Sequence, residues 1–260
     1  MTEVFDATAL VRSVFHDAHP LGSAAWAASV RNGQPHEVRV VIRGGATEIV
    51  AAPDVAGRSP AELTAVNAQL PRGCRLMCGL SGVRLVAEAA ETSVSALERV
   101  SAAFESALDV LAGAEVAVPP ALAVPFDEDP AQWTLEPRSD GARELRLSYP
   151  GGHWTVSVAG GACAVVVAKP GGYEFDVCEA LSEFLLRATA TVRFVRACSC
   201  WSEGAWSAWL EVSREACALN EALTALALVC RDGGAATAAL TDPGLAAIYR
   251  SASSVFNEGR

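Results

Sequence analysis

Ser59-Pro60-Ala61-Glu62-Leu63-Thr64-Ala65-Val66-Asn67-Ala68-Gln69-Leu70-Pro71 runs through Arg72-Gly73 into Cys74-Arg75-Leu76-Met77-Cys78. Serine is a good N-cap, proline at the first helical position gives up an N–H that has no partner there, and glutamate at the third can reach back to the cap. Leu63, Val66 and Leu70 recur at helical spacing until Pro71 stops the helix. Beyond it Cys74, Leu76 and Cys78 alternate onto one strand face. Leu80-Ser81-Gly82 then turns the chain into a second strand, Val83–Ala89. A capped helix feeding a hairpin is the unit from which the fold is read.

Outward from this unit, Asp6–His16 carries Leu10, Val11, Val14 and Phe15 at helical spacing. Strands follow at Ala24–Val30, Glu37–Arg43 and Glu48–Ala52, with Asn32-Gly33 and Gly44-Gly45 as hairpin turns. Ser93–Leu111 closes the half as a helix with Leu97, Val100, Phe104, Leu108 and Leu111 on one face. Pro119, Pro120, Pro125 and Pro130 then break the chain, together with Asp127-Glu128-Asp129, and mark a linker.

The order returns after the linker. Strands read at Trp133–Glu136, Glu144–Tyr149, Trp154–Val158 and Ala162–Ala168, a helix at Phe175–Arg187, a hairpin at Val192–Ala197 and Ala205–Val212, and a long helix at Arg214–Arg231. Gly244–Phe256 adds a further helix. Leu63-x2-Val66 matches Leu181-x2-Phe184, and Arg75-Leu76 falls opposite Arg193-Phe194. The expected fold is α+β: a tandem repeat of two α-β-β-β-α-β-β-α sandwich units, with helices packed on antiparallel sheets. Residues 1–115 form the first unit, 116–131 a Pro-rich acidic linker, and 132–260 the second unit with its extra C-terminal helix.

The chain has 260 residues, 51% of them hydrophobic, and a formal net charge of −10. That much apolar material builds a core and excludes a disordered chain. The acidic balance repels nucleic acid and anionic lipid, so neither is an expected partner. Met1-Thr-Glu-Val-Phe-Asp has no basic region ahead of an apolar stretch, so no secretory signal is expected. No window reaches the ~18 apolar residues of a membrane span. A cytoplasmic protein keeps its thiols reduced, and the eight cysteines read as small core hydrophobes.

Chemistry is hard to find. His16 and His19 have helical ligand spacing but no third ligand nearby, and His153 follows Gly151-Gly152 in a turn. Cys74-x3-Cys78 and Cys198-x-Cys200 lack the spacing of a zinc site. The single lysine, Lys169, stands outside any phosphate-binding loop. No Gly-x-Ser-x-Gly or His-Glu-x-x-His occurs. No catalytic residue, cofactor or metal is therefore assigned. The competing expectation is an enzyme, or a small-ligand or metal protein, whose site gathers His16, His19, Cys198 and Cys200.

Trp201, Trp206 and Trp209 crowd one hairpin. Trp206 alternates with Ala208, Leu210 and Val212 and should face the core, whereas Trp209 shares its face with Ser207 and Glu211. Either the extra helix or the other half covers that side, or Trp209 is exposed. Trp201 and Trp209 are the candidate partner-binding residues.

Leu63-x2-Val66-Asn67-x2-Leu70-Pro71 running into Cys74-Arg75-Leu76, with Val83-Arg84-Leu85-Val86-Ala87-Glu88 after it, resembles the type III secretion chaperone-like fold shared with YbjN-like proteins. Leu181–Arg187, Val192–Val195 and Trp206–Glu211 correspond in the second half. Such chaperones are small acidic homodimers. The resemblance implies a monomer acting as a fused pseudo-dimer, or a homodimer, that binds a protein or an extended peptide by strand addition and side-chain pockets. A purely structural or immunity-type protein that blocks a basic partner is a third expectation.

Overall fold

The computed structural model describes residues 6–79, 81–113, 133–137, 143–149, 152–159, 162–190 and 193–213. The chain opens with α1 (Ala7–Val14), then β1 (His19–Gly22), β2 (Ala25–Asn32), β3 (Gln34–Arg43) and β4 (Ala46–Ala51). Helix α2 (Pro60–Asn67) leads into the hairpin β5 (Cys74–Gly79) and β6 (Gly82–Ala89), and α3 (Val94–Leu111) follows. Further on come β7 (Trp133–Pro137), β8 (Arg143–Tyr149), β9 (Gly152–Ala159), β10 (Ala162–Gly171), α4 (Phe175–Thr189), β11 (Val195–Ser202) and β12 (Ala205–Ser213). The expected linker and the two expected C-terminal helices lie outside the described residues.

The strands form two six-stranded antiparallel sheets, ordered β1-β2-β3-β4-β6-β5 and β7-β8-β9-β10-β12-β11. In each, four strands run in sequence order and the hairpin after the helix adds its second strand first. This leaves β5 and β11 as edge strands. The mixed α+β class agrees with the sequence reading. The first half differs from it in having four strands before α2 rather than three. The extra strand, β1, contains Pro20 and is exposed along its whole length, so no alternation of apolar and polar residues marks it. Strand β11 begins three residues later than the expected Val192 and continues to Ser202. His153 lies in β9, opposite Ser148, and not in a turn.

Local chemistry explains the helices. At α2 the Ser59 side chain accepts from the Glu62 amide and the Glu62 carboxylate accepts from the Ser59 amide, closing the capping box behind Pro60. Helix α3 is capped by Ser93, which accepts from the Ala96 amide, and it buries Leu97, Val100 and Phe104. These pack with Val11 and Phe15, with Trp26, Val40 and Ile49 from the sheet, and with Leu76 and Leu85 from the hairpin. Leu186 of α4 joins the same cluster, so the core of the first half includes a side chain from the second. Each fully buried leucine contributes about 2 kcal/mol.

The two sheets meet through their helices and inner edge strands: α2 packs on α4 and β11, α4 packs on β5, and β5 lies beside β11. An edge strand buried this way must find partners for its outward backbone groups. Asn67, fully buried, supplies them. Its Oδ1 accepts from the Leu76 amide at 2.6 Å, and its Nδ2 donates to the Leu76 carbonyl at 3.0 Å and to the Ala197 carbonyl at 2.9 Å. Removing this amide leaves three buried backbone groups without partners. We expect Asn67→Ala to cost about 3 kcal/mol in urea unfolding. Asn32→Ala, which removes bonds to the Glu105 carbonyl and Asp109 at a more exposed site, should cost under about 1 kcal/mol.

Candidate functional site

Among the described residues, the most elaborate polar arrangement is the seam between the sheets, and it begins with small hydroxyls. Thr64 Oγ1 of α2 lies 3.1 Å from Ser182 Oγ of α4 and 2.7 Å from Ser199 Oγ of β11, with all three residues buried. Thr64 also donates to the Ala61 carbonyl, as does Ser199. The Glu179 carboxylate of α4 accepts from the Ala61 amide at 3.2 Å. That amide belongs to the first turn of α2, where a carboxylate is favoured by the unpaired N–H groups and the helix dipole.

Two arginines then cross the seam in opposite directions. Arg75, the second residue of β5, donates through Nη1 to the Thr189 carbonyl at the end of α4 and to the Val195 carbonyl at 3.1 Å. Arg196, the second residue of β11, donates through Nη1 to the Leu70 carbonyl at 2.7 Å, just beyond α2. Each is paired with a carboxylate on its own hairpin: Arg75 Nε with Glu88 at 3.0 Å, and Arg196 Nη2 with Glu211 at 2.6 Å. Guanidinium suits this task because its planar donors serve a carboxylate and a carbonyl at once. Arg193, the residue set against Arg75 in the sequence reading, lies outside β11 and pairs with Glu48 at 2.6 Å. Arg196 takes the matching place.

Phe194 sits between these arginines with φ of 62°, a left-handed backbone that costs a bulky residue roughly 1–2 kcal/mol. Its amide donates to Glu88 Oε1 at 2.7 Å, which holds it there. Gly73, just before β5 as Phe194 is just before β11, has φ of 78° without that cost. Around these residues lies a cleft lined by Arg72, Cys74, Glu88, Phe194, Arg196 and Glu211, with about 280 Å³ of empty volume including its open mouth. Two ion pairs line it, Arg75 with Glu88 and Arg196 with Glu211.

The residues singled out from sequence scatter. Trp206 is fully buried with Ala208 and Leu210, as its alternation requires, and stacks edge-on with Tyr173 at 5.8 Å. Trp201 is 48% exposed, whereas Trp209 is half-buried opposite Cys198. Cys198 is buried and Cys200 exposed. His16 lies in the turn after α1 and His19 opens β1, on the other sheet from the two cysteines. Asp17, between the histidines, bonds to Ser29, which holds its carboxyl below the usual value. Among the described residues no three of His, Cys, Asp and Glu are placed to hold a metal ion. The described cysteines Cys74, Cys78, Cys178, Cys198 and Cys200 are all free.

Sequence reasoning missed Asn67, Thr64, Ser182, Ser199 and Arg196. One signal was present: Asn67 stands on the helix stripe with Leu63 and Leu70, and a carboxamide on an apolar stripe is buried only if its bonds are met. It also missed Phe175, which is 63% exposed at the start of α4.

Burial pushes the Cys74 and Cys198 thiols up to about 12. Neither offers a thiolate at neutral pH, so alkylation of the native chain should label Cys200 and spare both. Above the ordinary thiol value of about 8.5 the unfolded chain releases these two protons while the native chain keeps them. Their stabilising contribution is therefore complete below that value and declines as pH rises, by up to about 1.4 kcal/mol per pH unit for each thiol. Denaturant titrations in increasingly alkaline buffer should show this slope, and Cys74→Ala or Cys198→Ala should flatten it. Comparison of the chain with protein-family models, with curated proteins and with solved structures finds no match.

Proposed function

We propose that the chain is a non-catalytic binding module built as a fused pseudo-dimer, two chaperone-like α+β units in tandem, of the kind its resemblance to type III secretion chaperones and YbjN-like proteins implies. The observation that carries this reading is the contact of Thr64 with Ser182, and of Ala61 with Glu179, each pair 118 residues apart. Matched positions touching across a seam are the mark of a two-fold interface between like subunits. Two contacts at one offset also set α2 and α4 side by side in the same direction. The identical strand order of the sheets and the reciprocal crossing of Arg75 and Arg196 support the same reading.

On this reading the inner edges β5 and β11 hold the halves together and are closed to a ligand strand. Binding falls to the outer surfaces. Strand β1 is a short edge that Pro20 protects against pairing, so exposed side chains, Trp201 among them, carry more of the interaction than strand addition does. The free thiols suit a reducing, cytoplasmic setting. No helix among the described residues is long and apolar enough to cross a membrane.

The test is affinity capture with the full chain, followed by hydrogen exchange of the captured complex. A stoichiometric protein partner that slows exchange over a contiguous surface is expected. Recovery of the chain alone, or turnover of a small molecule at a site within it, would overturn the proposal.

A further inference from the structure

Two exposed aromatic side chains lie toward the same end of the seam. Trp201 is 48% exposed and Phe175 63% exposed. Along β11, the Ala197 carbonyl meets Asn67 near the end of α2, and Ser199 meets Thr64 and Ala61 nearer its start. Trp201 is the next residue on that strand face, so it continues toward the first residues of α2. Along α4, Ser182 meets Thr64 and Glu179 meets Ala61. Phe175 lies one helical turn before Glu179 on the same face and extends in the same direction. Trp201 also pairs with Trp206 across the hairpin, and the Trp206 ring meets Tyr173, two residues before Phe175, so both exposed rings lie toward the Pro60 end of the seam.

Among the described residues, charge around this end is mainly negative. Glu174 and Asp176 border Phe175, Glu203 follows Trp201, and Glu62 follows Pro60, all four exposed. The neighbouring guanidinium, Arg58, donates to the Leu111 carbonyl at 2.9 Å. Arg58 keeps its positive charge there and the two helix N-termini bring about half a positive charge each, so against the four carboxylates the rim is left net negative.

We infer that this end of the seam, Phe175 and Trp201 toward Pro60 within a carboxylate rim, is a docking surface for a protein segment that alternates apolar and basic side chains. The apolar side chains cover the rings, and Arg or Lys meets the rim, where arginine also stacks on tryptophan. The inference rests on the binding-module reading and gives it a partner chemistry.

Calorimetric titration of the full chain tests it, with a synthetic peptide alternating leucine and arginine as the probe. Peptides with glutamate in place of arginine, or serine in place of leucine, should bind roughly tenfold weaker or not at all. Affinity for the leucine–arginine peptide should fall with added salt. Phe175→Ala with Trp201→Ala should weaken binding roughly tenfold or more, and so should Asp176→Asn with Glu203→Gln. Leu21→Ala, which removes an exposed apolar side chain on β1, should leave it unchanged. Binding that ignores the aromatic pair would overturn this surface and leave the binding module standing. So would a captured partner protecting some other face, or a dimer of the chain that Trp201→Ala dissolves. No binding of any peptide, together with no captured partner, would overturn both.

Discussion

A buried sheet edge is the constraint on which the rest depends. Strand β5 pairs with β6 on one side only, and its other side faces the second half. Backbone amides and carbonyls placed there without partners would each cost about 1–3 kcal/mol. A single carboxamide, Asn67, answers both groups of Leu76 and reaches across to the Ala197 carbonyl. Once that edge is satisfied, α2 can lie against α4, Thr64 can meet Ser182, and Leu186 can enter the first core. The seam is polar at its centre, so it is specific in register where an apolar contact could slide.

The crossing arginines extend this register. Arg75 caps the Thr189 carbonyl at the last residue of α4 and Arg196 the Leu70 carbonyl just beyond α2, where intrahelical bonds run out. The arrangement is not perfectly reciprocal. Glycine precedes β5 where phenylalanine precedes β11, and Glu179 caps α2 while Ala61 returns nothing of the kind to α4. These departures place Phe194 in a conformation that Glu88 of the other half must hold, so the second half depends on the first for its own backbone geometry.

Much of the architecture was legible. The Ser59 capping box, the alternation of Cys74, Leu76 and Cys78, and the burial of Trp206 follow from local rules that tertiary context did not override. Strand β1 escaped notice because its four residues are exposed and include proline, so it has no periodicity to read. The start of β11 is later than side-chain pattern suggests because Phe194 breaks the strand through its backbone angle rather than its side-chain type. The seam itself was largely hidden. Thr64, Ser182 and Ser199 look like ordinary surface hydroxyls until the two helices are brought together, and only Asn67, out of place on an apolar stripe, pointed to it.

Amide exchange at Leu76 tests the central claim most directly. If Asn67 closes the β5 edge, the Leu76 amide exchanges as slowly as the amides of β6 and opens only with global unfolding. Exchange as fast as that of a solvent-facing edge such as β1, under conditions where the core stays protected, would contradict the account.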